Sequence, residues 1–363
     1  MKNSKIKDIF ALEVLDSRGI PTIKTTVVLE GGEKGSCSVP SGASTGIYEA
    51  VELRDNDNKR YLGKGVLKAC QNVNEIICKK LKGMNAINQA EIDKTMIELD
   101  KTQNKSNLGA NAILSVSLAV VKAVARQKGE PLYRHLGGEK AVQLPVPMCN
   151  VINGGAHASN NLDIQEFMIA PVGCLSFSEG LRKSAEVFQC LKKILKEKNL
   201  SVAVGDEGGF APDLMSDENA FELLTEAIDK AGCSNDMMFT IDAAASEWNW
   251  KDGGYTLPKR KMSMNQKELV AYWEKLKKKY PIISIEDGAN EDDWQSWQLL
   301  NKELGKDIQL VGDDLFVTNT KRLKKGIDLS AANSILIKPN QIGTLTETIE
   351  AVEMAKKVGF TTV

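Results

Sequence analysis

The chain has 363 residues, 42% of them hydrophobic and 26% charged, as in a soluble globular protein of two domains or of one large domain with a cap. Its 47 Lys and Arg nearly cancel 48 Asp and Glu, so a net charge of −1 argues for neither a nucleic acid nor a membrane surface as partner. The N-terminus lacks a secretory apolar stretch, the run from Ala112 to Val121 is too short to cross a bilayer, and seven scattered cysteines without a CxxC pair predict reduced thiols in a cytosolic protein.

Residues 5–40 read as strands. Between Thr22 and Glu30 the pattern alternates, with Ile23, Val27 and Leu29 on one face. Residues 66–82, 89–99 and 109–128 read as helices, the last stopped by Gly129-Glu130-Pro131. Strands followed by helices predict an α+β N-terminal domain over residues 1–138. Beyond Gly138, strand runs alternate with amphipathic helices such as Ser178–Lys198, Glu218–Ala231, Gln266–Lys279 and Leu345–Val358. Strands are expected near 146–152, 166–171, 202–205, 238–242, 282–286, 308–312, 335–338 and 360–363, the number a (β/α)8 barrel needs. The connection from Asn153 to Asp163 is too short for a helical crossover, so the second strand is expected to run antiparallel to the first. The fold class is therefore α/β: a (β/α)8-type barrel with an antiparallel second strand over residues 139–363, preceded by the α+β domain.

The strand ends carry the chemistry. Glu207, Asp242, Glu286, Asp313 and Lys338 each follow a short apolar run, and in a barrel those ends converge on one mouth. An antiparallel second strand brings its first residue, Glu166, to the same mouth. Asp242, Glu286 and Asp313 would repel one another there unless a cation sat among them, and a set of oxygens without paired His or Cys favours Mg²⁺. Lys338 is either a structural ion-pair partner or a base whose pKa is lowered by burial and a nearby cation. Glu207, between glycines in Gly205-Asp206-Glu207-Gly208-Gly209, is either part of a turn or a general acid paired with Glu166. His157 lies on a mobile loop over the mouth, with functional and structural readings evenly matched, and His135 reads as structural. The loop Pro40-Ser41-Gly42-Ala43-Ser44-Thr45-Gly46 is a turn or a lid that lends oxygens to a metal.

These residues lie in motifs that resemble the enolase family over nearly the whole chain, with a bacterial flavour. The motifs are DSRG at 16–19, VPSGASTG at 39–46, ELRDND at 52–57, GANAILSVSLA at 109–119, NGGAHASNN at 153–161, QEFMIAPVG at 165–173, GDEGGFAP at 205–212, SIED at 284–287, GDDLFVTN at 312–319 and ILIKPNQIG at 335–343. The resemblance implies an Mg²⁺-dependent hydro-lyase of glycolysis that interconverts 2-phosphoglycerate and phosphoenolpyruvate. Lys338 is then similar to the base that removes the C2 proton, and Glu207, aided by Glu166, to the acid that assists departure of the C3 hydroxyl. Asp242, Glu286 and Asp313 match the ligands of a first Mg²⁺. Ser44 matches a lid residue that reaches a second Mg²⁺, and His157 a lid histidine near the substrate phosphate. His157, Glu166, Lys338 and Ser44 would also contact substrate. A lysine or histidine base with one or two Mg²⁺ ions is the established pattern of this superfamily. The resemblance further implies a homodimer or larger ring, in the cytoplasm and with a cell-surface or secreted pool. The family continues past the last strand with a Ser-His-Arg-Ser-Gly motif, so the barrel is expected to be incomplete at its C-terminal end, as in a truncated enolase. The alternative is a non-catalytic binding or structural protein on the same scaffold.

Overall fold

The computed structural model describes residues 3–42, 46–205 and 207–363. The chain divides into two compact units. The first takes residues 1–142 together with 317–320 and 337–354, and the second takes 143–316, 321–336 and 355–363.

In the first unit, β1 (Ile6–Leu15), β2 (Pro21–Leu29) and β3 (Lys34–Ser38) form an antiparallel sheet in that order. Ile23, Thr25, Val27 and Leu29 of β2 are buried, as the alternation predicts. Helices α1 (Leu67–Gln71) and α2 (Cys78–Leu81) are joined by a π-helical turn, Asn72–Ile77, and followed by α3 (Gln89–Asp100), α4 (Ala110–Lys128) and α5 (Leu132–Gly137). Most of α4 is buried, and it ends at Gly129, whose φ of +71° suits a left-handed cap. It packs so close to β3 that a Cβ on Gly35 would fall on the Ala119 carbonyl and within 2.9 Å of Ala123 Cα. Helix α5 lies in a stretch where the sequence pattern predicted no element. There His135 Nδ1 faces Glu130 at 3.0 Å, in keeping with a structural role.

The second unit holds β4 (Cys149–Asn153), β5 (Glu166–Ala170), α6 (Phe177–Glu197), α7 (Asp217–Lys230) and β6 (Met238–Asp242). It continues through a meander of β7 (Asn249–Lys251), β8 (Gly254–Thr256) and β9 (Ser263–Asn265), then α8 (Gln266–Lys279), β10 (Ile282–Glu286), α9 (Trp294–Leu304), β11 (Gln309–Gly312), α10 (Thr320–Leu329), β12 (Ser334–Ile335) and β13 (Thr361–Thr362). Its larger sheet runs β13-β12-β11-β10-β6-β5-β4. Only β5 runs against its neighbours, antiparallel to both β4 and β6, as its short connection requires. Serine N-caps start α6 and α7, and an Asn265–Glu268 capping box starts α8. Phe167, Phe221, Phe239, Trp273 and Trp297 fill the interior.

Two features depart from expectation. Residues 202–205 are not a strand of the sheet. Their apolar run is short, and the following glycines fold it into a hairpin in which Gly205 N–H donates to Gly209 (2.8 Å) and Ala211 N–H to Ala203 (2.8 Å). The hairpin meets β4 through a parallel bridge between Ile152 and Phe210, so it lies beside the first strand rather than between the second and fourth. The meander 249–265 was also not anticipated, although Asp252-Gly253, both at positive φ, is a hairpin-turn signature. The seven cysteines form no disulfide, and no described helix is long and apolar enough to cross a membrane.

A short helix, α11 (Pro339–Ile342), and α12 (Leu345–Lys357) lie largely in the segment counted with the first unit. There Ala50 N–H donates to the Gln341 carbonyl (2.8 Å), Thr346 N–H to Asp93 (3.0 Å) and Leu345 N–H to Ser117 (3.0 Å).

Candidate active site

Strand register brings the acids of the second unit into one row. Asn153 pairs with Glu166, Glu166 with Asp242, and Asp242 with Glu286. Residues opposite one another across strands project to the same face, and adjacent strands lie about 4.8 Å apart. Because β5 is reversed, its first residue aligns with the last residues of β6 and β10. Asp313 lies two residues past Val311, the partner of Glu286 on β11.

These carboxylates are nearly enclosed: Asp242 is 7% exposed, Glu286 9% and Asp313 8%. Burial, then the charges of Glu166 and Asp313, pushes Asp242 up to about 8, against hydrogen bonds from Gln165 Nε2 (2.9 Å) and Ala244 N–H (2.9 Å). Asp287 is held well above the usual carboxylate range by burial and by the charges of Asp314, Asp313 and Asp242. It accepts N–H groups from Asp313 (3.1 Å) and Asp314 (2.8 Å), which ties the tip of β11 to the tip of β10. Glu286, Asp287 and Asp313 each offer an oxygen within 4.8 Å of the others. The donors are carboxylates alone, and a buried set of carboxylate oxygens suits a hard divalent cation.

A second group joins the row at Glu166. His157 Nδ1 lies 3.7 Å from Glu166 and 3.9 Å from Glu207. Both ring nitrogens are buried, and at these separations neither makes a hydrogen bond. Burial pulls the imidazole pKa down, but Glu166, Glu207 and Asp242 outweigh it and leave the pKa raised. The loop that carries His157 is tied down rather than free: Gly154 N–H donates to Gln165 (2.8 Å) and Gly155 N–H to Leu162 (2.9 Å). Glu207 is the most open member, with 43% of its side chain exposed. Its loop is anchored by Gly209 N–H on Asn153 Oδ1 (2.8 Å), and a Cβ on Gly205 would press on the His157 carbonyl at 2.7 Å.

Lys338 lies in the segment counted with the first unit, three residues past β12, as the N-cap of α11. Its N–H donates to Thr318 Oγ1 (2.9 Å), and Thr318 in turn donates to Gln341 Oε1 (3.1 Å). Val317 and Thr318 both adopt positive φ, +43° and +54°, a strain that β-branched residues rarely accept outside functional sites. Ser44 lies outside the described residues. The sequence pattern missed Asp287, Gln165, Asn153 and Thr318. The first three adjoin the acid row or its loops, and their proximity in sequence to Glu286, Glu166 and Gly154 was the available signal.

Two family models match the chain. A family model described as "Enolase, N-terminal domain" matches residues 6–136. A second, "Enolase, C-terminal TIM barrel domain", matches residues 141–363.

Proposed function

Because the chain belongs to the enolase family, we propose that it catalyses the reversible dehydration of 2-phosphoglycerate to phosphoenolpyruvate, a step of glycolysis and gluconeogenesis. The observation that carries the reading is the row of buried acids beside the His157–Glu166–Glu207 group.

Asp242, Glu286 and Asp313 are the proposed Mg²⁺ ligands, with the Asp287 carboxylate orienting the Asp313 tip by accepting the Asp313 backbone N–H, and Ser44 the residue that would reach a second ion. Bound Mg²⁺ supplies positive charge that offsets the charge growing on the substrate carboxylate as the adjacent carbon loses its proton. Lys338 Nζ accepts that proton from C2, with its backbone held by Thr318. Glu207, with Glu166 close to the same imidazole, gives a proton to the departing C3 hydroxyl, which leaves as water. His157, drawn toward its charged form by both glutamates, suits an anionic group such as the substrate phosphate. Asn153 holds the Glu207 loop through Gly209. Domain limits at residues 1–138 and 139–363, a cytoplasmic location and a homodimer or larger ring remain part of this proposal. Phe10, Leu12 and Leu15 on the outer strand β1 are exposed and give such an assembly an apolar surface.

The test is phosphoenolpyruvate formation from 2-phosphoglycerate with Mg²⁺, followed by absorbance. Turnover is expected in the parent chain, lost on chelation, and reduced on the order of 10³-fold by Lys338→Ala or Glu207→Gln. Parent-like turnover in Lys338→Ala would refute its role as the base.

A further inference from the structure

The meander that the sequence pattern missed reaches back to the histidine loop. Between β8 and β9 the chain makes a tight turn, closed by Leu257 N–H on Met262 (2.9 Å) and Lys261 N–H on Leu257 (3.0 Å). At its tip, Lys259 Nζ donates to the Gly155 carbonyl (2.8 Å) and to the Ala158 carbonyl (2.9 Å). These two carbonyls bracket His157 in the chain.

The next residue fixes the base of the same loop. Asp163, whose side chain is fully buried, accepts from Lys259 N–H (2.8 Å), Arg260 N–H (3.2 Å) and Arg260 Nε (2.9 Å). Arg260 also binds Asp217 and donates to the Tyr272 hydroxyl (3.2 Å), which anchors the clamp to α7 and α8. Burial pushes the Lys259 ammonium down from its ordinary pKa, against the charges of Asp163, Asp217 and Asp213. Among the described residues no carboxylate lies within ion-pair distance of Lys259 Nζ, and its hydrogen bonds go to these two loop carbonyls. A half-buried cation used in this way is an expensive means of holding a surface turn. It is a reasonable means of fixing a side chain whose own ring nitrogens make no hydrogen bond among the described residues.

We propose that Lys259 is a positioning residue for His157: its ammonium clamps the backbone on both sides of the imidazole and sets the ring against Glu166 and Glu207. The proposal rests on the reading of His157 as part of the reacting site.

The chain has two histidines, so the ring resonances are few, and His157→Gln assigns the pair by subtraction. In Lys259→Met the His157 ring signal is expected to move and broaden at fixed pH, while the His135 signal stays in place. In Lys259→Arg, which keeps the charge and several donors, the signal is expected to return toward its parent position. With 2-phosphoglycerate and Mg²⁺, Lys259→Met is expected to lower kcat roughly tenfold to a hundredfold with a smaller change in KM, and Lys259→Arg to recover most of it. A Lys259→Met protein with an unmoved His157 signal overturns the proposal, as does a displaced ring with parent-like kcat. If Lys259→Met does not fold, Lys259→Gln, which keeps a neutral donor, is read against Lys259→Arg by the same signal. Should the parent chain show no turnover, the proposed reaction fails, and the resonance alone decides whether Lys259 places the ring.

Discussion

Asp93 shows how one buried residue couples to pH. It is fully buried on α3, and its carboxylate accepts from Thr346 N–H (3.0 Å), Thr346 Oγ1 (2.6 Å) and Gln89 Nε2 (3.0 Å). Burial raises its pKa above 3.8, and the hydrogen bonds only partly offset this. The folded state therefore holds its proton more tightly than the unfolded state. That contribution to stability is complete below pH 3.8 and is lost as pH rises through the raised value, with a slope of at most about 1.4 kcal/mol per pH unit. Asp93→Asn removes the titration, so its stability deficit against the parent is expected to shrink from pH 4 to pH 7 in denaturant titrations. A deficit that is constant with pH would refute this account. At this scale the sequence was informative where charge met a strand end: Asp242, Glu286 and Asp313 follow from that rule, and Glu166 follows once its strand is read as reversed. It was silent on Asn153, Gln165 and Asp287, because a partner's role depends on which backbone group it meets across strands.

Among the elements, the contact between β3 and α4 is the most exacting. Gly35 lets the helix backbone approach the strand, and the helix answers with alanines at 119 and 123. Gly35→Ala has no space to relax into, since its new atom meets backbone and not a flexible side chain. It is expected to cost about 1–3 kcal/mol or more, read as a lower Tm of the first unit. A Tm within a degree of the parent would mean that the strand and helix can separate cheaply. Long periodic elements were legible: α4, α6, α7 and α8 fall where their apolar stripes predict. The hairpin at 202–210 was not, because Val202-Ala203-Val204 reads as a buried strand until the glycines that follow are taken as a turn. The meander 249–265 is three strands of three residues, too short for a period to show.

At the level of the whole molecule, sequence order and compactness part company. Residues 337–354 count with the first unit, where Lys105, with only 3% of its side chain exposed, pairs with Glu347 at 3.0 Å. A piece comprising residues 1–142 would leave that ammonium and the Asp93 carboxylate without these partners. Removing one member of a buried pair costs about 3–5 kcal/mol. Such a piece is expected to unfold at lower denaturant than the first unit of the whole chain, and a peptide of residues 337–354 added to it is expected to restore part of the loss. No response to the peptide would show that the first 142 residues are self-sufficient. No sequence pattern announced this arrangement, since hydrophobic period reports which face is buried and not what covers it.

The same arrangement has a consequence in time. A ribosome extends a chain by about 5–20 residues per second, so roughly 10–40 s separate the emergence of residue 142 from that of residue 337. Through that interval Asp93, Ser117 and Lys105 of the nascent first unit wait for their partners Thr346, Leu345 and Glu347. Its closure has to wait until residues 337–354 emerge, and a translational pause after residue 142 would prolong its exposure to proteases and to chaperones.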